Sequence, residues 1–228
     1  MTTVQVSPQP DVKHIPEPTL RRLPAYHHYL KGLASRGREV VSCSRIGTEL
    51  RLDPTQVRKD LAATGIIGRP KVGYPVTDLI ESIEAFLGWK NVTDAFVVGA
   101  GSLGTALIHH QSFNQYGLNI VAAFDKDPEK IGKTICGKEV LAVEKLPSLA
   151  ARMHVHIGIV TTPADAAQEA ADLLVFGGVK AIWNFTPASL TLPESVIVQN
   201  EDLFASFAVL SSKLKAALGV APAHSNWE

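Results

Sequence analysis

The sequence contains few cysteines and no long apolar segment. Its 228 residues include only 2 cysteines, Cys43 and Cys136, which excludes a disulfide framework and predicts a reducing, cytoplasmic setting. No uncharged apolar run approaches the roughly 18 residues of a membrane-spanning helix, and the N-terminus lacks a signal-peptide core. Because 46% of the residues are hydrophobic and 19% are charged, we expect a folded globular chain rather than a disordered one.

The sequence also lacks net charge, but its charges are unevenly distributed. It contains 22 basic and 22 acidic residues. Residues 20–75 hold 11 basic and 4 acidic side chains, whereas residues 91–228 hold 9 basic and 13 acidic ones. This asymmetry predicts two domains with different partners, the first of which binds a polyanion.

The first half of the chain shows the pattern of a helix-turn-helix domain. Residues 1–17 are rich in proline and predict a flexible tail, and the domain itself is expected over residues 18–90. Thr19 and Ser42 are predicted to cap the first two helices, and Asp53 to cap the third. Gln56 is predicted to complete a capping box with Asp53.

The third helix is the predicted DNA-reading element. If Val57 and Leu61 face the core, the outward side chains suit base edges and phosphates. A hairpin over residues 66–74 resembles a wing with two basic residues near its tip. The alternative is a solvated basic face on a small helical domain. The predicted DNA-binding residues are Thr55, Gln56, Arg58, Lys59, Arg69 and Lys71.

The second half, over residues 91–202, alternates predicted strands and helices. The first strand, residues 95–98, is a continuous apolar run, as expected for a strand buried on both faces of a parallel sheet. The alternation predicts an α/β fold with a Rossmann-like doubly wound parallel sheet. A glycine motif follows the first strand and opens a helix, where backbone N–H groups would donate hydrogen bonds to a pyrophosphate. The motif consists of Gly99, Ala100, Gly101, Ser102, Leu103 and Gly104.

Polar residues at the ends of later strands complete the predicted dinucleotide site. Asp125 lies 21 residues beyond Gly104, where a carboxylate would bind the adenosine ribose and favour NAD over NADP. A nucleotide-free turn is the alternative, and Asp127 is a weaker candidate than Asp125 for the ribose contact. Residues after the fourth and fifth strands could line the nicotinamide half or simply cap those turns. They are Thr161, Thr162, Pro163, Asn184 and Thr186.

The end of the chain predicts one more helix, over residues 203–220. Its apolar residues follow the spacing of a helix–helix seam, which favours packing against a partner subunit. Packing within the same subunit is the alternative. His154 and His156 share one face of a strand without an evident third ligand, so no metal site is predicted.

Taken together, these motifs resemble the Rex family of redox-sensing transcriptional repressors. The resemblance runs from about Pro18 to Leu218. It is carried by Arg22-Leu23-Pro24, Gln56-Val57-Arg58-Lys59-Asp60-Leu61, Val72-Gly73-Tyr74, Gly99-Ala100-Gly101-Ser102-Leu103-Gly104-Thr105-Ala106, Phe124-Asp125-Lys126-Asp127-Pro128, Pro163-Ala164 with Ala167-Gln168, and Asn184-Phe185-Thr186-Pro187.

The resemblance implies a homodimer with swapped C-terminal helices on a palindromic operator in double-stranded DNA. NADH would favour release from DNA, and NAD would permit binding. Arg58 and Lys59 would read the major groove, with Lys71 in the wing. Arg22 and Asp202 match positions that couple cofactor redox state to domain orientation.

The sequence departs from the family pattern in one short segment and at one further residue. Ala62-Ala63-Thr64-Gly65 replaces Ser-Tyr-Phe-Gly, which predicts altered packing of helix on wing. His110 stands where the family often has tyrosine beside the cofactor. Because histidine side chains change charge near neutral pH, we expect pH-dependent sensing.

Two other functions also fit parts of the sequence: an NAD-dependent oxidoreductase and a CoA- or nucleotide-binding module. After the last predicted strand only one helix and a short tail remain, which leaves no room for a catalytic domain. No catalytic residues are therefore predicted.

Overall fold

A computed structural model describes residues 15–218, and the chain divides into two compact units between Asn91 and Val92. The first unit is mainly helical, with a two-stranded antiparallel sheet in which Val41 pairs with Tyr74. Its elements are α1 (Glu17–Ala34), β1 (Val40–Val41), α2 (Cys43–Leu50), α3 (Pro54–Ala63), β2 (Tyr74–Pro75) and α4 (Val76–Phe86).

Side-chain caps define where α2 and α3 begin. The Ser42 hydroxyl accepts a hydrogen bond from the Arg45 N–H at 3.2 Å, and Asp53 accepts from two N–H groups of α3. The predicted Thr19 cap is wrong. Helix α1 begins at Glu17, directly after Pro16, and has Pro18 in its first turn. The fixed φ of a proline suits this part of a helix. The buried Thr19 hydroxyl donates instead to the carboxylate of Asp60.

The predicted wing forms a tight turn between Arg69 and Gly73. The Arg69 N–H donates to the Gly73 carbonyl at 2.7 Å, and the Gly73 N–H donates back at 2.9 Å. Lys71 lies at the tip with a φ of 62°. Both basic side chains of the turn are exposed.

The core of the first unit explains which face of α3 points outward. Val57 and Leu61 are fully buried, as their i, i+4 spacing predicted. They lie in one apolar cluster to which all four helices contribute, with Leu23, Tyr26 and Leu30 of α1, Ile46 of α2, and Leu79 and Ile83 of α4.

The second unit is built on a seven-stranded sheet. Its strand order is β5-β6-β4-β3-β7-β8-β9. All neighbouring pairs are parallel except β5 with β6. The elements are β3 (Thr93–Val98), α5 (Ser102–His109), β4 (Leu118–Asp125), β5 (Thr134–Ile135), β6 (Lys138–Ala142), α6 (Leu146–Met153), β7 (Ile157–Val160), α7 (Ala167–Phe176), β8 (Ala181–Asn184), β9 (Ile197–Asn200) and α8 (Leu203–Ala217).

The six parallel strands follow the order of dinucleotide-binding folds. Numbered along the chain without β5, they run 3-2-1-4-5-6 across the sheet, and the direction of winding reverses between β3 and β7. The predicted doubly wound sheet is confirmed. The β5–β6 hairpin at its edge was not predicted, because β5 has only two residues and the apolar run within β6 is only three residues long, Val140-Leu141-Ala142.

The apolar run of β3 is explained by cores on both faces of the sheet. Phe96 and Val98 lie in one cluster, and Ala95 and Val97 lie in the other. Alternate residues of a strand point to opposite faces, so a central strand covered on both sides needs an apolar residue at every position.

The last helix, α8, exposes its large apolar side chains. Within residues 15–218, no helix has the length and apolar character to cross a membrane. Exposure of the apolar side chains along α8 ranges from 55% to 77%. They are Phe204, Phe207, Val209, Leu210, Leu214 and Leu218.

Candidate dinucleotide site and nucleic-acid interface

The glycine loop after β3 packs directly against the end of β7. Gly99 has a φ of 102°, and a Cβ there would lie 2.9 Å from the Thr161 carbonyl. A Cβ on Gly104 would lie 2.0 Å from the Gly99 oxygen. The Thr161 hydroxyl donates to the Gly99 carbonyl at 2.8 Å and locks this contact. Both glycines are therefore required for the close approach of loop and strand.

Gly101 differs from the other two glycines of the motif. A Cβ added there would meet no heavy atom within 4 Å, so the protein itself leaves this space open. Gly101 is also the N-cap of α5, where no side chain caps the helix. The first N–H groups of α5, from Ser102 and Leu103 onward, are thus placed to bind an anion over Gly101.

Asp125 lies at the end of β4, beside the glycine loop. One carboxylate oxygen, Oδ2, accepts from the Ala100 N–H at 2.8 Å and from Lys130 Nζ at 3.0 Å. The other, Oδ1, accepts from the Asp127 N–H at 3.0 Å. Burial acts to raise the pKa of Asp125, but these hydrogen bonds outweigh it and lower the pKa below its usual value. The carboxylate is therefore an acceptor, as a ribose contact requires.

A cavity of about 760 Å³ opens between the glycine loop, Asp125 and α7. Its wall includes the apolar side chains of Val143 and Leu173, which suit a flat ring. The Thr162 hydroxyl in the same wall is buried and has no hydrogen-bond partner among residues 15–218. Because buried polar groups are normally paired, this hydroxyl and the space over Gly101 fit a bound polar ligand. Among the predicted site residues, the lining contains Gly99, Gly101, Asp125, Thr161, Thr162 and Pro163.

Asn184 and Thr186 bind within their own turn. The amide of buried Asn184 donates to the Ala188 carbonyl and to Asn200 Oδ1, and its Oδ1 accepts from the Thr186 hydroxyl at 2.8 Å. Neither residue lines the cavity. These bonds are those expected of a strand-end cap, and a role for the two residues at the nicotinamide stays a prediction.

The predicted DNA-binding residues lie on one side of α3 and on the wing. Thr55, Arg58 and Lys59 are exposed. Arg58 lines a shallow depression of about 400 Å³ together with Arg69 and Lys71 of the wing turn. The structure therefore brings three of the predicted cations together, as binding to a phosphate backbone would require.

Gln56 does not form the predicted capping box. Its Nε2 donates to Asp60 Oδ1 at 2.9 Å, one helical turn away, instead of reaching back toward the Asp53 backbone. A charge-assisted hydrogen bond to the buried carboxylate holds this amide toward Asp60, whereas a capping box would need the Gln56 oxygen to accept from the Asp53 N–H. Gln56 is consequently half-buried, whereas Thr55, Arg58 and Lys59 are exposed.

Asp60 is the functional candidate that the sequence reading missed. Its fully buried carboxylate binds the Arg22 guanidinium through two hydrogen bonds, of 2.6 and 2.8 Å. Burial acts to raise the pKa of Asp60, but its hydrogen-bond donors outweigh it and lower the pKa to about 2. The i, i+4 pair of Gln56 and Asp60 on an exposed helix was the available signal. The donors are Thr19, Arg22, Tyr26 and Gln56.

The three predicted coupling residues occupy distinct local settings. Arg22 pairs with Asp60 in the first unit. In the second unit, His110 follows α5, and its ring centroid lies 5.0 Å from that of Phe113. Asp202 caps α8 and accepts from the Phe204 N–H at 2.8 Å. Their role in redox coupling stays a prediction. Within residues 15–218, no group of three or more His, Cys, Asp or Glu could hold a metal ion.

Comparison with known proteins agrees with this geometry. Residues 14–62 match the family described as "Putative DNA-binding protein N-terminus", and residues 90–188 match the CoA binding domain family. A redox-sensing transcriptional repressor Rex from Treponema denticola is 50% identical over 193 residues, covering 85% of this chain and 92% of that protein. The Rex of Bacteroides fragilis is 43% identical over 204 residues, which cover 90% of this chain and 93% of that protein. This chain belongs to the Rex family.

Solved structures of a Rex-family repressor have the same fold. The repressor RSP in complex with β-NAD⁺ and operator DNA matches with a TM-score of 0.84 and 35% identity, covering 89% of this chain and 94% of its own. RSP in complex with β-NADH matches with a TM-score of 0.82 and 34% identity, covering 90% and 96%. The predicted family and the predicted combination of a DNA-binding unit with a dinucleotide fold are confirmed. The Rex relatives are named as repressors and not as enzymes.

Proposed function

We propose that this chain is a redox-sensing repressor that binds operator DNA and is released when NADH binds. The observation that carries the proposal is the presence, in one chain, of a helix with exposed basic side chains and of an open cavity lined by a glycine loop and the acid Asp125. Gly101 leaves room for the pyrophosphate, and Asp125 is an acceptor for the ribose. RSP has been solved in complex with NAD⁺ and operator DNA and, in a separate structure, in complex with NADH. These structures support the same ligands for this chain.

The cofactor acts in this proposal as a ligand and not as a reactant. When bound, it supplies a nicotinamide that is cationic in NAD⁺ and uncharged in NADH. A ligand shifts an equilibrium only by its differential affinity for two states. NADH must therefore bind more tightly to the DNA-free arrangement than to the DNA-bound one. The protein's part is to hold the dinucleotide through Gly101, Asp125 and the α5 N-terminus.

The proposed assembly is a homodimer formed through α8. A 15-residue helix with exposed apolar side chains is not stable alone in water, and the apolar residues of α8 favour a second copy as its partner. A two-fold dimer would present two reading helices to a palindrome, with half-sites one helical turn or a multiple apart. Because the protein acts on DNA, we also propose a cytoplasmic location.

Operator binding at a series of NADH/NAD⁺ ratios, with total dinucleotide fixed, tests the proposal. A gel-shift titration should show full binding in NAD⁺ and release as the ratio rises. Equal binding at both extremes would overturn it.

A matched pair of glycine variants separates cofactor binding from folding. Gly101→Ala adds a methyl group in open space, so the protein should fold and bind DNA but lose its response to NADH. Gly32→Ala, in α1, is the control because a Cβ there also meets no atom within 4 Å. It should keep the full response.

The oxidoreductase alternative predicts hydride transfer to a small alcohol or carbonyl substrate. We propose that this chain has no such activity. Incubation with NAD⁺ or NADH and a substrate panel, followed at 340 nm, should show no change in absorbance. The CoA-binding alternative predicts that CoA displaces NADH, which a competition titration checks directly.

A further inference from the structure

Asp60 connects α1 to the reading helix α3 through a single buried carboxylate. Its Oδ2 accepts from Arg22 Nε and from the Tyr26 hydroxyl, each at 2.6 Å. Its Oδ1 accepts from Arg22 at 2.8 Å, from Gln56 Nε2 at 2.9 Å and from the Thr19 hydroxyl at 3.0 Å. On α3, Asp60 is buried, whereas Gln56 is only half-buried.

These contacts determine which end of the Gln56 amide faces the protein. Arg22 can only donate, so Oδ1 of Asp60 is fixed as an acceptor. A flipped amide would place the Gln56 carbonyl oxygen against Oδ1, with two acceptors in contact at a buried site. This arrangement would lose a charge-assisted hydrogen bond and add repulsion. The amide nitrogen of Gln56 is therefore turned toward Asp60, and its carbonyl oxygen is turned away.

We propose that Asp60 is a positioning residue for base recognition. By holding the amide nitrogen of Gln56, it makes Gln56 present its carbonyl oxygen to an exocyclic amine of adenine or cytosine. The inference rests on the proposed function, since it requires that α3 lies in the major groove.

The major-groove pattern gives this orientation a defined consequence. Only adenine N6 and cytosine N4 offer a donor there, whereas guanine and thymine offer acceptors. A glutamine free to flip can satisfy either kind of base edge, but one held by Asp60 favours donors. At one position of each half-site, the chain should therefore prefer adenine or cytosine on the contacted strand. The expected preference is about fivefold, the size of one net hydrogen bond.

The experiment is selection from a duplex pool randomised over both half-sites, with the full-length protein in NAD⁺. Wild type is compared with Gln56→Leu, Asp60→Asn and Tyr26→Phe. Gln56→Leu should lose the preference at one position and keep it elsewhere. Asp60→Asn should lose it at the same position, because an asparagine amide can donate to the Gln56 carbonyl and turn its nitrogen outward.

Tyr26→Phe is the matched control for a purely structural role. It removes a donor to Oδ2, the oxygen that Gln56 does not contact. It should lower thermal stability and leave the base profile unchanged. An unchanged profile in Asp60→Asn, with Gln56→Leu altered, would overturn the positioning role. An unchanged profile in both would show that Gln56 reads no base. A wild type that selects no sequence at all would instead contradict the proposed function.

Base analogues test the same idea on the wild type alone, without depending on the folding of any Asp60 variant. At the position identified with Gln56→Leu, one duplex carries an analogue that lacks the exocyclic amine. A second duplex keeps the amine and, where the base is adenine, lacks N7. Affinity should fall about fivefold for the first duplex and remain nearly unchanged for the second. The reverse order would mean that Gln56 donates, and would refute the proposal.

Discussion

Asp60 and Asp125 are both buried carboxylates with lowered pKa values, yet they differ in what surrounds them. Every donor to Asp60 is a side chain, and its carboxylate has no exposed surface. Asp125 binds two backbone N–H groups and one lysine, and it lines a large cavity. The side-chain network makes the first acid a structural junction, and the backbone N–H groups hold the second acid at the wall of an open cavity.

The largest expected effect is on stability, from removing the Asp60 carboxylate. Asp60→Ala leaves the buried ends of Arg22 and Tyr26 without an acceptor, and should destabilise the first unit by about 3 kcal/mol or more. Amide hydrogen exchange along α1 and α3 measures this. Glu49→Ala, on the exposed face of α2, is the control and should change stability by less than about 0.5 kcal/mol. Similar amide hydrogen exchange in both variants would show that Asp60 does not stabilise the contact between α1 and α3.

The next effect is on ligand binding, from removing the Asp125 carboxylate. Asp125→Ala should weaken dinucleotide binding by about 1.5–3 kcal/mol, or roughly ten- to a hundredfold, because a ribose contact to a charged acceptor is lost. Calorimetric titration with NADH measures it. Asp127→Ala is the matched control, two residues away. If only the Asp127 variant lost affinity, the ribose contact would belong to Asp127.

A third expected effect is that the stability of the first unit depends on pH through Asp60. The pKa of Asp60 is lowered from its usual 3.8 to about 2, so its stabilising contribution is complete above about pH 4 and is lost as the pH falls toward 2. The expected loss is about 2 kcal/mol. Hydrogen exchange in α3 across this window measures it. An Asp60→Asn variant should lack this part of the pH dependence, and an equal slope in both proteins would contradict the assignment.

The smallest effect is expected at the Asp125–Lys130 ion pair. Lys130 is 37% exposed, so Lys130→Met should cost less than about 1 kcal/mol of stability. The pKa of Asp125 should rise but stay below its usual value, because the backbone N–H groups remain. Carboxyl-carbon NMR titration measures this. A pKa that returned fully to its usual value would mean that Lys130, and not the loop, sets the acid's charge.

The spacing of apolar residues was enough to predict most of the fold, but it did not predict the polar network around Asp60. The β3 run and the Val57–Leu61 pair were sufficient to place a sheet and a core-facing helix side. The β5–β6 hairpin was missed because β5 has two residues and the apolar part of β6 has three, which is too short for a periodic signal. The glycine loop was predictable because its spacing is local.

The Asp60 network could not be predicted in the same way. Its donors come from α1 and α3, and the hydrogen bond from Thr19 spans 41 residues. No spacing rule connects residues that far apart. Lys130 was missed for another reason: it lies close to Asp125 in the sequence, but their contact depends on the path of the loop after β4, which has no regular period.

The shared carboxylate of Asp60 also bears on how such repressors diverge. Four side chains depend on one acceptor, so a substitution of Asp60 itself changes the setting of all four at once. Arg58 and Lys59, which are exposed on the same helix, can vary one at a time. New operator preferences should therefore arise in evolution first at those exposed positions, while Gln56 changes only together with its buried companions.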